Sequence, residues 1–332
     1  MNKTRFISII IIIIILITGC SSRKDKLSFI DQSEYDINQE SMDPFQANPL
    51  SEHNFELLDG EITLDNHIID MGVYNGDIYI LPMGSNEIYC FNEELQLIKT
   101  IKQDSIILGF KIVDDNIYIV NNDEKKLVLC DLEGNEVESY YVERNHELYT
   151  TSQIIFLDNG DIYMSSNGMG DNIYQIELKD NSINILNSMG DKNLVGRLSK
   201  TNFPDKVAFI HTAYGEGGKN NTYIYHGYSA IYTINEDKIE NMKRLGDGII
   251  YNDISYYDGK YYLLRANDIV VLDKDLEYVG SYNLKPYLEN EGIQRDIEFF
   301  DFMDIDEKGN IYVYLYLDIQ SNKAKILKGT AK

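Results

Sequence analysis

The sequence predicts an all-β fold: a six-bladed β-propeller of four-stranded antiparallel blades, with the last blade closed by the N-terminal strand of the folded body. Two observations predict it. A turn-forming Asp, Asn or Gly precedes a short strand with a central tyrosine in NGDIYI (75–80), DDNIYI (114–119), NGDIYM (159–164), NNTYIY (220–225), DGKYYL (258–263) and KGNIYV (308–313). The tyrosines are Tyr79, Tyr118, Tyr163, Tyr223, Tyr262 and Tyr312, spaced by 39, 45, 60, 39 and 50 residues. Turn residues ahead of β-branched and aromatic positions signal a hairpin, and self-similarity at roughly 40–50 residues signals propeller blades.

Each copy is followed by a second strand–turn–strand element. These are EIYCFNEELQLIKTI (87–101), KLVLCDLEGNEVESYYV (126–142), NIYQIELKDNSINIL (172–186), AIYTINEDKIENM (230–242) and DIVVLDKDLEYVGSY (268–282). An apolar stretch such as HIIDMGV (67–73) or SQIIFLD (152–158) precedes each copy, so every unit holds four strands. The sixth unit, from Asp296, has room for three, and FELLDGEITL (55–64) is placed to supply the fourth. Residues 187–205, NSMGDKNLVGRLSKTNFPD, read as a polar insertion between the third and fourth units. No stretch alternates strand and helix patterns, which excludes a parallel α/β sheet. Over residues 55–328 the chain resembles the bacterial six-bladed propellers of the NHL and TolB-like kind. The resemblance lies in the period and the D-G-x-I-Y-V grammar, and such a fold hosts binding modules, scaffolds, lactonases and quinoprotein dehydrogenases alike.

The N-terminus predicts where the protein works. Lys3 and Arg5 precede an apolar run from Phe6 to Ile17, the layout of an export signal. The run is shorter than the roughly 20 residues that span a bilayer. Ile17-Thr18-Gly19-Cys20 follows and resembles the lipobox of bacterial lipoproteins, although Leu is commoner where Ile17 stands. The resemblance implies removal of residues 1–19, diacylglycerol on the Cys20 sulfur and an extracytoplasmic, membrane-anchored chain, since two or more acyl chains anchor stably. Residues 20–54 are polar, contain Pro44 and Pro49, and show no periodicity. They read as a flexible tether of roughly 30 Å reach, leaving 55–332 as the propeller domain.

Composition narrows the partners. The whole chain carries 30 basic and 54 acidic residues, a net charge of −24. A surface this acidic is repelled by phosphate backbones and anionic headgroups, which argues against nucleic acid and leaves membrane contact to the lipid. Cations and basic surfaces are favoured. Cys90 and Cys130 are too few for a disulfide framework and fall on opposite faces of their strands, so they read as buried free thiols.

No HExxH, GxSxG, GxxxxGK[ST] or paired CxxC occurs, which removes zincin, α/β-hydrolase, P-loop and zinc-ribbon chemistry. Gly215-Glu216-Gly217-Gly218 reads as a loop. Asp304-x-Asp306-x-x-Gly309 has part of the spacing of a calcium loop, but Lys308 and Leu315 stand where oxygen ligands belong, so it reads as a turn. The innermost strands of a propeller line its channel, and one polar residue per unit interrupts them: Asp70, Lys111, Gln153, His211, Asp253 and Glu298. Convergence there predicts a ligand-binding site at Asp70, Gln153, His211, Asp253 and Glu298, and the carboxylates with His211 suit a divalent cation such as calcium. The long connection carrying Arg197, Lys200, Tyr214 and Glu216 is a second candidate. Tyrosine platforms also stack on sugars, yet most of the 26 tyrosines fall at repeat positions and read as packing between blades. The expectation is a binding or interaction propeller for a protein, peptide or small molecule. The alternatives are a metal-dependent lactonase-like or quinoprotein-like enzyme, and an accessory subunit of a transporter or sensor.

Overall fold

The computed structural model describes residues 44–45, 48–121, 126–142, 151–166, 172–190, 196–211, 214–217, 223–226, 228–247, 249–290, 302–318 and 322–332. The export signal, Cys20 and Glu298 lie outside the described residues.

The fold is an all-β propeller built of antiparallel meanders in chain order. After β1 (His53–Leu57) and β2 (Ile62–Thr63), the first meander comprises β3 (Ile68–Tyr74), β4 (Asp77–Pro82), β5 (Glu87–Phe91) and β6 (Leu97–Lys102). The second comprises β7 (Ile107–Val113), β8 (Asn116–Asn121), β9 (Lys126–Asp131) and β10 (Glu136–Val142). The third comprises β11 (Thr151–Phe156), β12 (Ile162–Ser166), β13 (Asn172–Lys179) and β14 (Ser182–Gly190). Their outer strands fuse: β10 and β14 pair in parallel at Tyr141↔Ser182 and Val142↔Ile183, giving one eight-stranded sheet.

The next sheet holds β15 (Gly196–Lys200) and β16 (Val207–His211), with a separate hairpin of β17 (Tyr214–Gly217) and β18 (Tyr223–His226) inserted before β19 (Tyr228–Asn235) and β20 (Lys238–Asp247). It is followed by β21 (Asp253–Tyr257), β22 (Lys260–Leu264), β23 (Asp268–Asp273) and β24 (Tyr278–Asn283), then a short helix α1 (Lys285–Asn290). The last sheet is β25 (Phe302–Ile305), β26 (Ile311–Asp318) and β27 (Lys323–Ala331). The inner strands neighbour one another in the cycle β3, β7, β11, β15, β21, β25 and back to β3.

The turn chemistry explains the register. Asn75-Gly76 and Asp258-Gly259 join inner to second strands with φ of 53° and 87°, and of 45° and 75°. Two successive positive φ values give the turn whose twist matches a hairpin. Asp306 organises the turn that the calcium spacing overlaps. Its Oδ1 accepts the Lys308 and Asn310 N–H groups at 2.9 and 2.8 Å, and its Oδ2 accepts Asn310 Nδ2 at 2.8 Å.

Apolar side chains pack between neighbouring sheets rather than in one central core. Tyr79 lies with Ile117, Ile119 and Cys130 of the next sheet, Tyr163 with Phe209 and Tyr232, Tyr262 with Val313 and Leu315, and Tyr312 with Ile78 and Ile80. These four repeat tyrosines therefore face the following sheet, and burying such a ring contributes about 1.5–3 kcal/mol. Two of their hydroxyls also bond across the interface: Tyr163 accepts the Glu236 N–H at 3.0 Å, and Tyr312 donates to Glu93 at 3.1 Å. Cys90 and Cys130 are buried free thiols, raised to about 11 by desolvation.

Closure follows the expected route. β1 pairs antiparallel with β27 from His53↔Ala331 to Leu57↔Leu327, and β2 adds Ile62↔Ala324 further along the same strand. Gly329 admits this strand: a Cβ there would stand 2.6 Å from the Phe55 ring. His53 locks the seam, its Nε2 donating to the Gly309 carbonyl and its Nδ1 accepting the Tyr282 hydroxyl, both at 2.9 Å.

Three expectations need correction. Residues 48–54, read as tether, belong to the folded body. Pro49 forms a parallel bridge with Ser281, the Leu50 N–H donates to Ser281 O and the Ser281 N–H to Asn48 O, both at 2.9 Å, and Phe45 stacks on Tyr278 at 4.8 Å. The NNTYIY copy is not a sheet strand of the ring; Tyr223 belongs to the inserted hairpin, as do Gly215–Gly217, read as a loop. The second strand of that sheet is β16, where Ala208 packs toward the next sheet as the repeat tyrosines do.

Candidate functional site

The channel is a cavity of about 320 Å³ lined by all six inner strands, β3, β7, β11, β15, β21 and β25. Side chains two apart on a strand share a face, so the lining comes in layers.

The upper layer contains most of the predicted residues. The Asp70 Oδ2 accepts the Phe110 N–H of β7 at 3.0 Å, the Gln153 Oε1 accepts the Leu198 N–H of β15 at 2.8 Å, and the Asp253 Oδ2 accepts the Met303 N–H of β25 at 3.0 Å. Every second sheet thus supplies an acceptor that pins the next sheet's inner strand. One step before each recipient N–H stand Gly109, Arg197 and Phe302. A fourth staple sits lower, where the Asp304 Oδ2 accepts the Val73 N–H at 2.8 Å and ties β25 back to β3.

Arg197 organises the charge. Its Nη1 lies 3.8 Å from the Asp70 Oδ1 and its Nε 3.8 Å from the Asp253 Oδ1. Its Nη2 donates to the Ile69 carbonyl at 3.3 Å, and its guanidinium stacks 4.5 Å from the centroid of Phe302. One cation spans the channel between two buried carboxylates. Burial pushes the Asp70 carboxyl up to about 7, against the pull of Arg197 and the Phe110 N–H. Burial also raises Asp253, opposed by Arg197 and the N–H groups of Met303 and Ile254.

The Asp70 shift has a definite sign. The unfolded carboxyl loses its proton in the ordinary range while the folded one keeps it to about 7, so stability falls as pH rises across that window. Asp70→Asn keeps an oxygen for the Phe110 N–H and removes the titration. Urea denaturation should show the variant less stable than the parent near pH 4, with the gap narrowing by on the order of 2–3 kcal/mol near pH 8. A gap that stays constant would show that Asp70 does not hold its proton.

His211 requires correction. It is buried on β16, the second strand of its sheet, paired with Gly196 of β15 and Ala230 of β19. The innermost strand there is β15, inside the segment read as a polar insertion. The apolar VAFIH has the pattern of an innermost strand, but the more polar GRLSK, of equal length, is the channel strand. Arg197 and Lys200, assigned to a long connection, therefore line the channel with Lys111. Lys200 is paired with Asp158 at 2.9 Å. Tyr214 and Glu216 fall on the inserted hairpin. Asp304 was legible only as part of the turn motif. The available signal for Arg197 was its position, one step ahead of an apolar residue in a four-to-five-residue strand, as Asp253 is.

No family model matches the chain, and no curated protein matches it. Solved structures do. A gluconolactonase of Xanthomonas campestris is 7% identical over 86% of this chain and 91% of that one, with a TM-score of 0.54. The WD40 domain of Neurospora crassa Pan2 is 10% identical over 86% and 98%, with a TM-score of 0.49. BamB of Moraxella catarrhalis is 8% identical over 87% and 98%, with a TM-score of 0.43. The likeness is one of fold.

For a divalent cation the upper layer is a poor fit. The guanidinium already lies between Asp70 and Asp253, and each carboxylate spends an oxygen on a backbone N–H. Among the described residues no three His, Cys, Asp or Glu side chains come together in a metal-holding cluster.

Proposed function

We propose that this chain is a membrane-anchored extracytoplasmic lipoprotein whose propeller, six-bladed and of the NHL or TolB-like kind, acts as a ligand-binding or protein-interaction module. The observation that carries the reading is the use made of the channel's polar side chains. Asp70, Gln153, Asp253 and Asp304 each hold a neighbouring strand, and Arg197 neutralises two of them. The most acidic part of the channel is committed to ring integrity rather than to a metal-centred reaction. The cycle of inner strands supports six blades, two of them fused at their outer edges. The lipobox resemblance at Cys20 and the strongly acidic body support an anchor through lipid alone.

Metabolic labelling with palmitate tests the anchor. The parent chain should label and partition with membranes, and Cys20→Ser should lose both. Equal labelling of the two would overturn the assignment. Solubilised membranes passed over the immobilised full chain test the interaction role, with specific retention of a partner expected. Retention of one equivalent of metal, lost on Asp70→Asn and Asp253→Asn, would instead favour a hydrolase.

A further inference from the structure

The outer strands share an irregularity. In five of the meanders the rim strand carries one extra residue against its neighbour, and that residue falls at the same place each time. It is Ile98 of β6, Val137 of β10, Leu186 of β14, Glu240 of β20 and Val279 of β24. Such a bulge twists an edge and discourages long pairing with another chain. One of the five shows what pairing remains. Two residues past Val279, Ser281 gives its N–H to the Asn48 carbonyl and takes the Leu50 N–H, both at 2.9 Å, while Asn48 Nδ2 donates to the Val279 carbonyl at 2.6 Å. The rim therefore accepts a short extended segment beside a bulge.

The other four positions differ in their protection. β10 and β14 cover each other in part. β20 exposes Lys238, Glu240, Asn241 and Arg244, the charged and polar side chains that blunt an edge. β6 has neither defence: it pairs with β5, and among the described residues no strand lies on its other side. Its bulge exposes Leu97 and Ile98, at 53% and 47%. The two lysines of β6 do not guard it. Lys99 Nζ donates to the Leu132 carbonyl of the next sheet at 2.6 Å, and Lys102 Nζ to Glu87 at 2.9 Å. In register, Thr100 is to β6 what Ser281 is to β24, since Tyr89↔Thr100 follows the bulge as Val270↔Ser281 does. Its N–H and C=O therefore face outward, as those of Ser281 do.

Three occupants compete for this edge. The leading segment is excluded because Lys99 stands where Gly280 admits it; a Cβ at Gly280 would lie 2.6 Å from the Asn48 carbonyl oxygen. A second copy brings a further net charge of −24 against the first. A partner's strand lying flat in the plane of the sheet meets neither objection. Glu94, exposed in the turn that leads into β6, and Glu133, 77% exposed beside Lys99, set the charge it should carry. We infer that the free edge of β6 is a strand-addition site for an extended segment of a partner protein, apolar toward Leu97 and Ile98, bonded through its backbone to Thr100, and basic toward Glu94 and Glu133. Backbone bonds supply affinity in this mode, and alternate side chains supply specificity. This rests on the protein-interaction reading and gives it a surface.

Fluorescence anisotropy with the full lipidated chain in detergent tests it, using labelled short peptides of alternating valine–lysine and of alternating valine–glutamate as probes. The valine–lysine peptide should bind saturably and at least tenfold more tightly than the other, with hydrogen exchange slowed along β6 and unchanged along β20. Thr100→Pro removes the outward N–H, a change that an edge strand tolerates. It should weaken the valine–lysine peptide at least tenfold at an unchanged melting temperature, whereas Thr100→Val should bind like the parent. No saturable binding, equal binding by Thr100→Pro, equal affinity for the two peptides, or protection that misses β6 would each overturn the site. A dimer of the parent chain that Thr100→Pro dissociates would overturn it in favour of a second copy. Should Thr100→Pro not fold, Ile98→Lys, at an exposed position, and the exchange footprint decide it, with at least tenfold weakening expected. Retention of a membrane partner whose footprint misses β6 would remove this site and leave the broader reading standing.

Discussion

Arg197→Met destabilises the ring by about 3–5 kcal/mol at neutral pH, the cost of leaving buried carboxylates without their partner. Methionine retains most of the length and apolar bulk, so the loss is of charge and of the hydrogen bond to Ile69, not of packing volume. Asp70 and Asp253 each lie 3.8 Å from the guanidinium, and both are raised by burial even with Arg197 in place. Without it both climb further and take protons. The loss should therefore be smaller at pH 5 than at pH 8, where ionisation of both acids is forced. Adding Asp70→Asn and Asp253→Asn to the variant should recover much of the stability, because the uncompensated charges disappear while oxygens remain for the Phe110 and Met303 N–H groups. Denaturant titrations of the single, triple and parent chains at the two pH values measure this. An Arg197→Met chain as stable as its parent at pH 8 would remove Arg197 as the organising cation.

A chain beginning at Asp59 loses β1 and should fail to fold cooperatively, whereas one beginning at Asp43 should melt like the full chain. The truncation strips the pairing from His53↔Ala331 to Leu57↔Leu327 and takes Phe55 and Leu57 from the cluster around Val313 and Leu327. Phe55 and Leu57 are half-buried, so together they contribute about 2–3 kcal/mol, to which the lost strand pairing adds, against a total stability on the order of 5–15 kcal/mol. The edge of β27 is then open, and an open, largely buried strand templates association. Calorimetry and size-exclusion chromatography separate the outcomes: a sharp, monomeric transition for the shorter chain would show that β2 and β27 close the ring unaided.

The sequence made the ring legible where the turn and tyrosine agree, as in NGDIYI and DGKYYL, because positive-φ turn residues and an inward ring are both local signals. It failed at the fourth sheet for the same reason. Ala208 occupies the repeat position there, and the inserted hairpin offers a tyrosine strand, YIYH, of the same grammar. Displacing one sheet displaced its channel residue from Arg197 to His211. Asp70, Gln153 and Asp253 were found because polar residues in apolar strands stand out. Their role was not legible, since their partners are backbone N–H groups of the next sheet, some 40–50 residues away. Lys111 was found on the same ground, as the polar residue of its inner strand.

The seating of Asn48–Leu50 against Ser281 has a mechanical meaning. β24 is the outermost strand of its sheet, so the leading segment joins the ring at its rim and not at either mouth. Pull applied through that segment is received at one fixed point on the circumference, first by the Pro49 bridge and the Phe45–Tyr278 stack, and next by the β1–β27 seam. On the proposed lipid anchor, a ring held at its rim, like a wheel held by its tyre, would keep both ends of its bore clear of the membrane.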